Sequence, residues 1–184
     1  MVNAGKEIPI IDMMPEKNAD AKILSLVGKK APEFSLPDLD DQVHRLSDMK
    51  GKNVVLVFWS IGCPHCKVEL PMINDFYNEH TSSYNFEVIA VTQGCCPSGS
   101  QKTVDFVTDQ KIDYPILLDP DGKVSGKYKF RYVPTAFFIN RDGIIVDFSI
   151  GTPKYFKRFY HSVFTDPLRL GADDQASETG KEEQ

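Results

Sequence analysis

Nowhere does this sequence sustain the ~20 apolar residues that a membrane-spanning helix needs. Its longest uninterrupted apolar run is the six residues Val54 to Trp59. Basic residues are outnumbered, 21 Lys and Arg against 26 Asp and Glu, and nothing basic and aromatic clusters as a nucleic-acid footprint would require. Neither a bilayer nor a nucleic acid is therefore expected as a partner. Four cysteines in 184 residues are too few for a disulfide scaffold, and no internal repeat is visible.

Net charge is also small in the body of the chain. Of the formal net charge of -5, the stretch Ala172 to Gln184, with five acids and one lysine, carries -4. Residues 166–184 read as an acidic disordered tail. Residues 1–27 mix charge, Pro and Asn without periodicity and read as an N-terminal arm. Between them, residues 28–165 are long enough for one ordinary globular core. The first residues lack the basic start and unbroken apolar stretch of a secretory signal, because Asp12, Pro15 and Glu16 interrupt them. Taken as complete, the chain is expected in the cytoplasm; if a signal has been removed, an extracytoplasmic (periplasmic) location is expected.

The pattern of elements predicts a mixed-sheet α/β domain. "EFSL" and "VHRL" flank the turn-rich "PDLDDQ" as a β-hairpin. "NVVLVFW" reads as a central buried strand, followed by a helix from about Pro64 to His80 and the buried strand "FEVIAVT". Ser100 is placed to cap a helix with Val104, Phe106, Val107 and Ile112 on its apolar side. "YPILLD" is a short strand, a short helix covers Val124 to Lys129, and "PTAFFIN" and "IIVDFSI" form a closing hairpin before a helix from Pro153 to Phe164. Parallel strands joined by helices require a sheet covered on both faces.

Cys63 and Cys66, in "CPHC", fall at the turn between that central strand and its helix. The first cysteine then sits beside unsatisfied backbone N–H groups and the positive end of the helix dipole, where a thiolate is favoured. Cys63 is the expected nucleophile and Cys66, one turn further in, the expected resolving thiol. Pro64 suits a first helical turn because it has no N–H to lose. His65 can bring a cation or an N–H donor to the Cys63 sulfur, which would stabilise the reduced form and make the disulfide more oxidising.

Other readings of the cysteines are weaker. Adjacent Cys95 and Cys96 fit a shared tetrahedral ion poorly, and a haem attachment site would need His where Lys67 stands. No metal and no cofactor are expected. His44, His80 and His161 have neither ligand spacing nor a neighbouring nucleophile.

Trp59 four before Cys63, "CPHC", Pro71 five after Cys66, and "VPT" at Val133 to Thr135 together resemble the thioredoxin fold, over about Gly28 to Thr165. "GKKAPEFSLPDLDDQ", an extra βα unit before "YPILLDPDGKVSGKY", and the Cys-x-x-Cys-x-x-Glu-x-Pro run resemble its TlpA/ResA-like branch, grouped at sequence level with alkyl hydroperoxide reductase-like proteins. The resemblance implies a thiol-disulfide oxidoreductase acting on protein substrates together with a redox partner protein, and a monomer is expected. It also implies that Pro134 is a cis-proline beside the redox pair, that the Val133 backbone pairs with an extended substrate, and that Glu69 accepts and donates protons during exchange.

Two positions depart from the pattern. Val57 stands where thioredoxins carry a buried Asp, and the "PH" dipeptide resembles the oxidase DsbA rather than reductive members of the branch. Cys95 and Cys96 follow a parallel strand at the end where active sites of such sheets gather; as accessory thiols they could exchange with the pair, form a vicinal disulfide, bind a metal or do nothing. A peroxidase remains an alternative. It needs Pro-x-x-x-Thr/Ser-x-x-Cys, and although Ser60 fits, Leu56 occupies the proline position. A non-enzymatic adaptor or metallochaperone is a third reading, which retention of the cysteine pair and Pro134 opposes.

Overall fold

The computed structural model describes residues 21–92, 100–152 and 156–165. Its centre is the strand β3 (Asn53–Trp59), buried at every position. The β-branched and aromatic run allows this because successive side chains point to opposite faces and both faces are covered. Val55, Val57 and Trp59 pack on one side with Leu70, Ile73 and Phe76 of α2 (Pro64–Tyr84) and with Tyr160 and Val163 of α5 (Phe156–Thr165). Val54, Leu56 and Phe58 pack on the other with Phe34, Leu36, Val124 and Tyr128.

Five strands form the main sheet in the order β5-β4-β3-β6-β7. The strands β4 (Phe86–Thr92) and β5 (Ile116–Leu118) run parallel to β3, whereas β6 (Thr135–Ile139) and β7 (Ile145–Ile150) complete an antiparallel edge. The expected N-terminal hairpin is present as β1 (Ser35–Pro37) and β2 (Val43–Arg45), a separate two-stranded sheet. Asp38 Oδ1 accepts the Asp40 and Gln42 N–H groups to form its turn, and Asp38 Oδ2 meets His44 Nε2 at 2.7 Å.

Three boundaries differ from the sequence reading. Residues 21–27, taken as the end of an arm, begin with the short α1 (Ala21–Leu24) and bury Ile23 and Leu26 against the sheet. The active-site helix continues one turn past His80 to Tyr84, where Asn85 adopts the left-handed conformation and donates its N–H to Thr81 O. The helix that Ser100 caps, by accepting the Thr103 N–H as expected, is α3 (Gln101–Asp109), which stops short of Ile112. A six-residue α4 (Lys123–Tyr128) follows β5. The acidic tail expected over 166–184 and residues 1–20 lie outside the described residues. No helix among those described is long and apolar enough to cross a membrane.

Candidate active site

The end of β3 delivers the chain to a tight turn. Cys63 donates its N–H to Ser60 O at 3.0 Å, and the Ser60 hydroxyl accepts the Gly62 N–H. Cys63 itself is the N-cap of α2: its backbone is extended, its Sγ accepts the Cys66 N–H at 3.2 Å, and Pro64 occupies the first turn. The cap position that Ser or Asp ordinarily fills is thus held by a sulfur.

Helical spacing then separates the two thiols. Cys66, Glu69, Leu70, Ile73 and Phe76 form the inward stripe of α2. Cys66 is fully buried while Cys63 stays partly accessible, and both are free. Burial pushes the Cys66 thiol well above its ordinary range, reinforced by the neighbouring Cys63 sulfur and by Glu69.

Facing the pair is the loop before β6. The Cys63 thiol donates to Val133 O at 3.4 Å, and the Val133–Pro134 peptide is cis. Two hydrogen bonds hold this loop: Thr135 Oγ1 donates to Tyr132 O at 2.7 Å, and Pro134 O accepts the Gly151 N–H at 2.8 Å. The register pairing Phe58 with Thr135 carries the loop to the same sheet end as Trp59 and the Cys63 turn.

Behind the pair lies Glu69, with no exposed surface and with neither carboxylate oxygen hydrogen-bonded. Burial raises its pKa to about 7; the Thr152 hydroxyl faces it and opposes that rise without closing a hydrogen bond. The Glu69 charge in turn pushes up the buried hydroxyls of Tyr114 and Tyr160, after the larger effect of their own burial. Tyr114 donates to Leu70 O at 2.9 Å, next to Pro71, which removes an N–H from the helix interior. Val57 is buried and apolar, so among the described residues the carboxyl beneath the pair on this face of the sheet is Glu69.

The remaining sequence-derived positions are distributed unevenly. Trp59 is buried against Phe106, ring centroids 5.7 Å apart, with its indole N–H unpartnered. His65 is exposed and makes no hydrogen bond among the described residues, so the donor to Cys63 Sγ is the Cys66 amide rather than the imidazole. Cys95 and Cys96 lie outside the described residues. Among the described residues no cluster of three or more His, Cys, Asp or Glu could hold a metal ion. Sequence reasoning missed Tyr114, Thr152 and Tyr160, whose place beside Glu69 depends on contacts across 45 to 91 positions of chain that no local motif encodes.

A mixed sheet with a Cys-x-x-Cys pair capping the helix after its central strand, opposed by a cis-proline loop, defines a redox protein of the thioredoxin fold. The chain belongs to the AhpC/TSA family, whose sequence model matches residues 27–148. It is 35% identical over 125 residues to the thiol-disulfide oxidoreductase ResA of Bacillus subtilis, covering 68% of each chain. Among solved structures it resembles StoA of Bacillus subtilis, with a TM-score of 0.58 at 28% identity over 71% of this chain and 97% of that one. The thioredoxin domain of a thiol-disulfide oxidoreductase from Bacteroides vulgatus shares the fold, with a TM-score of 0.66 at 22% identity over 75% of this chain and 97% of that one.

Proposed function

We propose that this chain, a thiol-disulfide oxidoreductase, exchanges disulfides with protein partners by a two-step relay from Cys63 to Cys66. The observation that carries the division of labour is the unequal setting of the two sulfurs: Cys63 is partly accessible and accepts a helix N–H, whereas Cys66 has no exposed surface.

In the reducing direction the Cys63 thiolate attacks one sulfur of a partner disulfide. That S–S bond breaks, a mixed disulfide forms, and one partner sulfur leaves as a thiolate. Cys66 then gives up its proton, attacks the Cys63 sulfur and expels the second partner thiolate. The pair is oxidised to a disulfide, the partner gains two electrons, and protons complete its thiols. Glu69, one helical turn from Cys66 on the same stripe, accepts the Cys66 proton; a carboxyl that titrates near neutrality is suited to both taking and returning it. The oxidising direction is the same sequence reversed.

The loop opposite supplies the docking edge. An extended partner segment pairs with the Val133 backbone, and Pro134, having no N–H, leaves the approach to the sulfur unobstructed. An extracytoplasmic site of action forms part of the proposal, since stable disulfides in partner proteins belong to oxidising compartments. Leu56, where a peroxidase would place proline, is buried inside β3 and shapes no pocket at Cys63.

Insulin reduction measured beside hydrogen peroxide consumption tests the reading, with Cys66→Ser included. The expected result is rapid insulin reduction, slow peroxide turnover, and mixed disulfides trapped through Cys63 in the variant. Peroxide turnover that needs Cys63 but not Cys66 would favour the peroxidase alternative and overturn the relay.

A further inference from the structure

The two segments that meet at Cys63 contain almost no negative charge. Residues 49–68 carry no Asp or Glu, and neither do residues 122–141, although acids outnumber bases in the chain as a whole. The first acid after Cys63 is Glu69, and it faces the interior. These two segments bring cations to the site from both sides and no carboxylate of their own.

On the loop side, Lys129, Phe130 and Arg131 alternate outward, inward, outward. Phe130 packs on Phe58 with ring centroids 4.5 Å apart, which leaves Lys129 and Arg131 exposed. Together with Lys22 of α1 they line an open recess of about 400 Å³ whose described lining has no carboxylate. Arg131 leads through Tyr132, 68% exposed, to Val133 at the Cys63 sulfur. Two residues of chain span at most about 7 Å, so the Arg131 backbone lies close to Val133, whose carbonyl meets the Cys63 sulfur.

Across the sulfur, α2 presents His65, Lys67 and the exposed Val68. Neither Lys67 nor Lys129 has a carboxylate partner among the described residues. An aromatic residue and a valine between flanking cations make an anchor with charged guides, the arrangement that steers a complementary partner and orients it.

We propose that Lys67, Lys129, Arg131 and Tyr132 form a docking surface for a protein partner whose redox cysteines are flanked by acidic residues. The proposal rests on the disulfide-exchange reading above. It extends that reading by assigning partner charge, which the thiol chemistry alone leaves open.

The test uses the full chain, reduced, against three synthetic peptides with one identical cystine loop flanked by Glu, Gln or Lys, and against hydroxyethyl disulfide as a neutral reference. At low ionic strength the second-order rates should fall in the order Glu, Gln, Lys, spanning about tenfold. The gap should close as salt shortens the Debye length to a few ångströms. Reversing charge with Lys129→Glu and Arg131→Glu together should invert the order, whereas Lys30→Glu, at the far end of the sheet beside Ile144, should preserve it. Equal rates for the three peptides, with hydroxyethyl disulfide still reduced, would overturn the docking surface and leave the exchange reading standing. No reaction with any disulfide would remove both. If salt accelerates reaction with the Glu peptide, the cations are already covered by the chain's own acidic residues 172–184, and the proposal of an external acidic partner fails.

Discussion

Glu69→Gln tests the central piece of the site, because an unpaired carboxyl in the core must reveal itself in the pH dependence of stability. Burial lifts its pKa from 4.5 to about 7. At ~1.4 kcal/mol for each tenfold change in proton affinity, the ionised form is about 3 kcal/mol less favourable in the folded protein than in the unfolded chain. The folded state binds this proton more tightly, so stability is greatest below about 4.5, falls as pH rises through about 7, and is level above that. Glutamine does not titrate, and its variant should lack this component.

An unpaired amide has its own cost in the core, but that cost is the same at every pH. The informative quantity is therefore the change between pH 5 and pH 8 in the difference between wild type and variant. From the two pKa values it should be about 2 to 3 kcal/mol, with wild type losing ground as pH rises. Urea unfolding at pH 5, 6, 7 and 8 with both cysteines kept reduced measures it, and other titrating groups cancel in the comparison. The same variant should lose an inflection near neutrality in the rate of the Cys66 step. Parallel stability curves for the two proteins would show that Glu69 is solvated or paired in solution, and its assignment as proton acceptor would fall with its burial.

Two further substitutions probe the walls of the site. His65→Gly removes an imidazole that is exposed and makes no hydrogen bond among the described residues; exposed polar or charged groups contribute at most about 1 kcal/mol, so the reduction potential should drop by no more than about 20 mV, and a fall several times larger in a glutathione titration would mean that the imidazole contacts the sulfur directly. Thr135→Val keeps the shape of a fully buried side chain but removes the 2.7 Å bond to Tyr132 O. It should cost about 1 to 2 kcal/mol and slow reaction with protein disulfides more than with small ones, while equal slowing of both would show that the loop does not position the partner.

Local chemistry made much of this fold readable. The run Asn53–Trp59, the cap at Cys63 and the spacing from Cys63 to Cys66 and Glu69 each follow from rules that act within a turn or two, and each stands where that reading put it. The extra turn to Tyr84 was not readable, since Thr81, Ser82 and Ser83 are indifferent helix formers and the stop depends on Asn85 accepting a left-handed backbone. Nor was the packing of Ile23 and Leu26, whose apolar neighbours Leu24 and Val27 stay exposed, so that only the strands that come later decide which residues are buried. The charge of Glu69 is the plainest case. Its position on the stripe is a matter of counting, but its environment is set by Tyr114, Thr152 and Tyr160, which reach it only after the sheet and the last helix are in place.

That division bears on the direction of electron flow. A thiolate formed at Cys63 would accept the Cys66 N–H, and the cationic surface proposed above would favour it further, so both bias the pair toward its reduced form and a more oxidising disulfide. The ionised form of Glu69 acts the other way, but on Cys66, which burial already keeps protonated. A charge that disfavours a thiolate not otherwise formed changes the potential little; it acts instead when Cys66 must ionise to resolve the mixed disulfide. Glu69 therefore bears on the rate of resolution and the cationic rim on the equilibrium. The two contributions are separable, because the first titrates near neutral pH and the second is screened by salt.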